Sequence, residues 1–247
     1  MLLPHKDDAI HKAWLYRLLA GIYDNQILAN SLYFKGGTCA AMLNWLDRFS
    51  VDLDFDYCAT EDEMKNIRFN LENIFKKLGL EIKDKSARVP QYFLKYSSPG
   101  ELKNTIKIDV TYPAPQANTY RIFKLTDVDR LVNCQTVETM FANKLVALIE
   151  RYEQHESIAG RDLYDIHHFF MQGFDYNQAV IIERRKNNLP NFFEALIDFI
   201  QKNITEKIIS QDLNFLLPPQ KFQQIRKLLK PETVMFLKEE LKRLNNA

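Results

Sequence analysis

Apolar residues recur along the first part of this chain with a helical period. Ile10, Trp14, Leu18 and Ile22 stand three or four positions apart, and Leu15 and Leu19 widen the stripe, so residues 5–24 are expected to form a helix with one face on a core. Residues 31–35 then read as a strand, 38–46 as a helix and 51–57 as a second strand. Residues 61–78 form a strongly amphipathic helix with acids in its first turn and Lys76 and Lys77 in its last, stopped by Gly79. LEIKD, YFLKYS and TIKIDVTYP follow as three strands in which β-branched and aromatic residues partly alternate with polar ones. Pro113 and Pro115 end the third, and a short strand is expected at 120–125. From about residue 137 the pattern turns wholly helical, beginning with 137–149 and breaking near 187–190, at Pro218 and Pro219, and at Pro231. The segment QHESIAG between Arg151 and Arg161 reads as an exposed loop.

The most informative stretch is YFKGGTCAAMLNWLDRFSVDLDFDY, residues 33–57. In a strand the side chains alternate between faces, so Asp52 and Asp54, with Asp56 beyond them, project to one side while Val51, Leu53 and Phe55 project to the other. Adjacent carboxylates repel, and a fold keeps them mainly where a divalent cation lies between them or one of them holds a proton. Gly36 and Gly37 are two of only 7 glycines in the chain, placed between a strand-like run and a helix-like one. Glycine permits a positive φ and a close backbone approach, and a following helix start offers free N–H groups to a phosphate. A phosphate cradle upstream of paired carboxylates suits a metal-bound triphosphate. The plainer alternative is a tight turn followed by an edge strand of solvated acids.

The order of Gly-Gly, helix and Asp-hydrophobic-Asp resembles the polymerase-β-like nucleotidyltransferase superfamily. The fuller strings FKGGT and RFSVDLDF resemble the AbiEii/AbiGii nucleotidyltransferase-like toxins, encoded beside an antitoxin in bacterial phage-defence and toxin–antitoxin operons. The resemblance implies an α/β (α+β) fold: a nucleotidyltransferase core with a mixed sheet over residues 1–130 and a helical lobe over 131–247, with the nucleotide between them. It implies a third carboxylate on a neighbouring strand, for which Asp109 in TIKIDVT is the candidate. It also implies a phosphate-contacting lysine, matched by Lys144 in ANKLVAL, and an active-site aspartate in the RDLYD element, matched by Asp162, positioning Lys144 by an ion pair.

On this reading Asp52, Asp54 and Asp109 hold Mg²⁺ or Mn²⁺, and Asp109 prepares the acceptor hydroxyl. Gly36, Gly37 and Thr38 cradle phosphate, Lys144 neutralises it, and Arg48 and Ser50 add phosphate or sugar contacts. The expected activity is metal-dependent transfer of a nucleotide from an NTP to an RNA acceptor of tRNA type, by the toxin of a pair whose antitoxin is encoded nearby. Two other classes share the core: a small-molecule nucleotidyltransferase of the antibiotic-modifying kind, and a nucleotide-binding regulator without transfer activity.

Composition narrows this picture without changing it. A chain of 247 residues with 46% hydrophobic residues is long enough to bury a sizeable core. No apolar run reaches membrane-span length and acids come early after Met1, so a cytoplasmic location with no membrane partner is expected. Cys39, Cys58 and Cys134 lack zinc spacing and read as small buried hydrophobes. His167 and His168 are neighbours on a helix, so they face different sides and make no metal pair. Net charge is +1, and only KFQQIRKLLK, residues 221–230, concentrates basic residues: either a solvated helix face or an RNA-backbone contact. The P-loop, GxGxxG and HExxH patterns do not occur.

Overall fold

The computed structural model describes residues 1–97 and 104–246. Its described residues divide into two compact units, residues 1–114 with 119–136, and residues 115–118 with 137–246.

The first unit is built on a seven-stranded mixed sheet. The chain enters through α1 (Asp8–Tyr23) and α2 (Gln26–Ser31), the second capped by the Asn25 side chain, which accepts from the amides of Ile27 and Leu28. Then come β1 (Leu32–Lys35), α3 (Gly36–Met42) and β2 (Leu53–Tyr57). A 3-10 turn at Glu61–Glu63, closed by a Thr60–Glu63 capping box, leads into α4 (Met64–Leu78), which ends on Gly79 at φ 70°. The remaining strands are β3 (Glu81–Lys85), β4 (Tyr92–Lys95), β5 (Thr105–Thr111), β6 (Tyr120–Leu125) and β7 (Arg130–Gln135), in the spatial order β3-β4-β5-β2-β1-β7-β6. β2 runs parallel to β5 and β1 parallel to β7, while the other neighbours are antiparallel.

Period-two alternation gives the sheet an apolar and a polar face. Phe34, Leu53, Phe55, Leu94, Ile106 and Ile108 are wholly buried, as are Leu15, Leu18, Leu19 and Ile22 of α1 and Ile67 and Leu71 of α4. The opposite face carries Lys35, Asp54, Asp56, Lys107, Asp109 and Thr111. The candidate residues Asp54 and Asp109 therefore share the polar face.

The second unit is helical: α5 (Val137–His155), α6 (Gly160–Met171), α7 (Gln178–Arg185), α8 (Leu189–Asn203), α9 (Glu206–Leu213), α10 (Pro219–Ile225) and α11 (Leu229–Asn245). Its centre is aromatic, with the Phe141 ring against Phe169, Phe170 and Tyr176. Among the described residues, no helix is long and apolar enough to cross a membrane.

Several sequence expectations need correction. β7 was not expected, because RLVNCQ buries only Val132, Cys134 and Gln135. It is a strand because β1 and β6 flank it, and it belongs to the first unit although it lies beyond residue 130. α3 stops at Met42, where Asn44 turns left-handed at φ 60° and the carbonyl of Ala40 accepts from the amides of Trp45 and Leu46. α5 runs on to His155 and α6 begins at Gly160, so only residues 156–159 of QHESIAG are loop. Pro231 does not break a helix but lies in the first turn of α11, where its missing N–H costs nothing. Cys58 is exposed, and only Cys39 and Cys134 are buried.

Candidate active site

The candidate residues fall into two groups, one in each unit. In the first, Asp54 of β2 and Asp109 of β5 are direct partners on parallel strands. Neighbouring strands lie about 4.8 Å apart, so two in-register carboxylates project side by side from the polar face. Asp109 Oδ2 accepts from Lys107 Nζ at 2.5 Å, a pair along one strand face. Asp52 lies just before β2 rather than in it.

The chain entering β2 is held from two sides. Thr38, wholly buried on α3, donates from Oγ1 to the carbonyl of Asp52 at 2.5 Å. His11, buried on α1, places Nε2 2.9 Å from the carbonyl of Val51 and Nδ1 2.9 Å from the Tyr96 hydroxyl. A carbonyl only accepts, so Nε2 carries the proton and Tyr96 donates to Nδ1. Burial, with a smaller contribution from Asp8, pushes the Tyr96 hydroxyl up to about 12, which keeps it a donor. With both carbonyls engaged, the ladder of β2 starts only at Leu53.

The glycine pair fits this arrangement closely. Gly36 has φ +77°, and a Cβ there would stand 2.3 Å from Asp54 Oδ2, so the Asp54 carboxylate rests on bare backbone. A Cβ on Gly37 would stand 2.6 Å from Arg48 Nη2 and 3.0 Å from Ser50 Oγ. Arg48 is buried and donates from Nη1 to the carbonyl of Phe49 at 2.8 Å, and Ser50 is buried beside it. Both pack behind the glycine turn.

Asp56, the third acid of the alternating run, has a different setting. Its wholly buried carboxylate accepts from Lys35 Nζ at 2.6 Å, Tyr120 Oη at 2.8 Å and Gln135 Nε2 at 2.5 Å. Lys35 also donates to Thr111 Oγ1 at 2.7 Å. This network ties β1, β2, β5, β6 and β7 together across the polar face, beside the Asp54–Asp109 pair.

In the second unit, Lys144 of α5 meets two acids of α6, with Nζ 2.6 Å from Asp162 Oδ1 and 2.9 Å from Asp165 Oδ2. The i, i+3 spacing puts both carboxylates on one helix face. Arg151 approaches Asp162 Oδ2 at 3.4 Å. Burial by itself would raise the Asp162 carboxyl, but Lys144 and Arg151 outweigh it and hold the group down at about 2. The start of α6 is set by Gly160, where a Cβ would stand 2.7 Å from the carbonyl of Ile208 on α9.

A family model described as nucleotidyl transferase AbiEii toxin, type IV toxin–antitoxin system, matches residues 17–233. The chain belongs to the AbiEii nucleotidyl transferase toxin family. No curated protein matches it. Among solved structures, the chain is similar in fold to JHP933 from Helicobacter pylori, at 19% identity and TM-score 0.62, covering 99% of this chain and 96% of that one. It is also similar in fold to MenT4, a nucleotidyltransferase toxin from Mycobacterium tuberculosis, at 18% identity and TM-score 0.59, covering 96% of this chain and 87% of that one.

Several residues that make these contacts were not singled out in the sequence, among them His11, Lys35, Arg151 and Gly160. A histidine inside the apolar stripe of α1 and a lysine inside FKGGT were visible signals, but their partners are far away in sequence. Of the basic stretch, Lys221 lies over the Tyr164 ring, Arg226 pairs with Glu206 at 3.7 Å, and Lys230 donates to the carbonyls of Gln201 and Ile204. Most of that charge therefore serves packing, while Lys227 is exposed. His167 is buried on Glu232 at 2.7 Å and His168 stacks on Tyr164, consistent with structural roles. Among the described residues, no three His, Cys, Asp or Glu side chains gather closely enough to hold a metal ion.

Proposed function

We propose that this chain transfers a nucleotidyl group from an NTP to a hydroxyl of an RNA acceptor of tRNA type, as the toxin of a pair with a nearby-encoded antitoxin. The observation that carries the reading is the Asp54–Asp109 pair, in register on parallel strands, with Asp54 lying against the bare backbone of Gly36. Hard carboxylate oxygens suit Mg²⁺ or Mn²⁺, and Mg²⁺ is commonly bound through one or two carboxylates plus substrate phosphates rather than by an all-protein cage. Asp54 and Asp109, in register on neighbouring strands, would hold such an ion together with substrate phosphates, with Asp52, just before β2, as the further candidate ligand. When bound, the ion supplies charge stabilisation at the phosphates and the leaving pyrophosphate.

The chain's own residues do the rest. The acceptor oxygen attacks the α-phosphorus, a new P–O bond forms, and the bond to pyrophosphate breaks. Asp109, oriented through Oδ2 by Lys107, takes the hydroxyl proton. The Gly36–Gly37–Thr38 turn receives phosphate at the start of α3, where the Lys35 side chain makes no cap hydrogen bond. Arg48 and Ser50, behind Gly37, shape that turn. Lys144, oriented by Asp162 and Asp165, offsets phosphate charge.

Incubation with each α-labelled NTP, Mg²⁺ and total RNA tests the reading. Label at tRNA size that disappears with Asp54→Asn supports it. Label on a small molecule, or none on any acceptor, overturns the RNA assignment.

A further inference from the structure

Away from the acid pair, the first unit has an open groove of about 750 Å³ at the carboxyl-terminal end of β5. Ligand sites commonly measure about 300–1,000 Å³ and combine an apolar floor with a few placed polar groups. Here Met64, Val89 and Val110 give the floor, the 37%-exposed Tyr112 ring a side, and Arg88 and Gln91 part of the rim. Thr111, which also lines it, lies two residues beyond Asp109 on the same strand and accepts from Lys35.

The groove is built rather than incidental. Tyr112 is held edge-on by Tyr57, with ring centroids 5.4 Å apart. The 86–91 loop is held by Arg68, whose Nη2 donates to the carbonyls of Ala87 and Val89 at 3.1 and 2.6 Å. Within the loop, the amide of Gln91 donates to the carbonyl of Val89 at 2.7 Å and that of Ser86 to the carbonyl of Gln91 at 3.1 Å.

We infer that this groove binds an unpaired nucleotide of the single-stranded RNA acceptor, next to the strand that carries Asp109. An aromatic ring beside an apolar floor stacks a base of any kind, and the side-chain amide of Gln91 can meet a base edge or a ribose hydroxyl. Arg88 provides one cation, which matches one backbone phosphate. A triphosphate demands more positive charge than that, and the Glu61 carboxylate on the rim repels it. The occupant is therefore the acceptor strand and not the NTP. This inference rests on the RNA-acceptor reading above, and its test uses binding instead of turnover.

The probe is a fluorescein-labelled single-stranded RNA ten-mer, titrated by anisotropy into full-length protein carrying Asp54→Asn. Tyr112→Leu and Arg88→Gln, each added to that background, are expected to weaken binding about tenfold, the scale of one lost stack or phosphate contact. NTP affinity by calorimetry, measured with each groove substitution made in the wild-type chain, is expected to stay within about twofold, and a blunt RNA duplex to bind more weakly than the single strand. Arg88→Gln alters only an exposed loop residue, so it carries the test if Tyr112→Leu melts early. Unchanged ten-mer binding in Arg88→Gln, a parallel loss of NTP affinity, or equal binding of the duplex would overturn the inference. Lost ten-mer binding in the variants, together with no label transfer from NTP to RNA by the wild type, would uphold the groove and defeat the transferase reading alone.

Discussion

His11 on α1 donates from Nε2 to the carbonyl of Val51, 2.9 Å away and 40 positions later in the chain. The bond fixes the backbone immediately before Asp52, and Thr38 fixes the next carbonyl. Two buried side chains from different helices therefore set where β2 begins, and with it the position of Asp54 opposite Asp109. His11→Ala leaves a buried carbonyl and the Tyr96 hydroxyl without this partner, and is expected to cost about 2 kcal/mol. His11→Gln, which can still donate, should recover part of it. Urea unfolding of the three proteins checks this, and a His11→Ala loss under about 0.5 kcal/mol would reject the role.

Gly36 and Gly79 both have positive φ, but only Gly36 has a carboxylate where a Cβ would go; nothing lies within 4 Å of one at Gly79. Gly79→Ala should cost the backbone strain alone, about 1 kcal/mol. Gly36→Ala should cost more and, by displacing Asp54, abolish growth inhibition on expression. Equal losses of stability in the two variants would show that Asp54 yields without consequence.

The Asp162 carboxyl stands at about 2, against 3.8 for an ordinary aspartate, and is wholly buried. A depressed carboxylate stabilises the fold fully above its unfolded value, and that stabilisation is lost as pH falls through its folded value. The shift corresponds to about 2 kcal/mol. Wild type should therefore exceed Asp162→Asn by roughly that amount at neutral pH, with the gap narrowing below about pH 4. Urea midpoints across this range decide it, and a gap independent of pH would exclude the ion pair with Lys144 as its source.

Side-by-side carboxylates at Asp54 and Asp109 repel in metal-free buffer, and a bound divalent cation removes that repulsion. Asp54→Asn should melt at or above the wild-type temperature in EDTA, yet gain much less from Mg²⁺ with NTP, because stabilisation by ligand follows affinity for the native site. Parallel shifts in both proteins would identify these residues as solvated acids without a metal role.

Much of this architecture was legible in local pattern. The stripe of α1, the moment and Gly79 stop of α4, and the alternation in β5 are short-range signals, since one side of each element must be apolar for it to pack at all. FKGGT and RFSVDLDF carried the family for a similar reason: their glycines, acids and spacing are all local. β7 was hidden because its strand character comes from neighbours on both sides, and α2 because six residues between longer elements give too little periodicity. The run of basic residues at 221–230 suggested a nucleic-acid face as readily as a packed one, and only the folded chain shows that Lys221, Arg226 and Lys230 meet partners within the protein.

Sequence alone determined which residues are the candidates for chemistry: the alternating acids, the glycine pair, Lys144 and the RDLYD acids. The tertiary structure decided what each of them meets. Asp52, Asp54 and Asp56 look equivalent in VDLDFDY, yet one precedes the ladder, one lies on Gly36 opposite Asp109, and one is buried under Lys35, Tyr120 and Gln135. Period-two alternation specifies the face a side chain takes, and local sequence carries no further information about it. Its partners come from strands and helices tens of residues away, and long-range packing alone brings those to the same place.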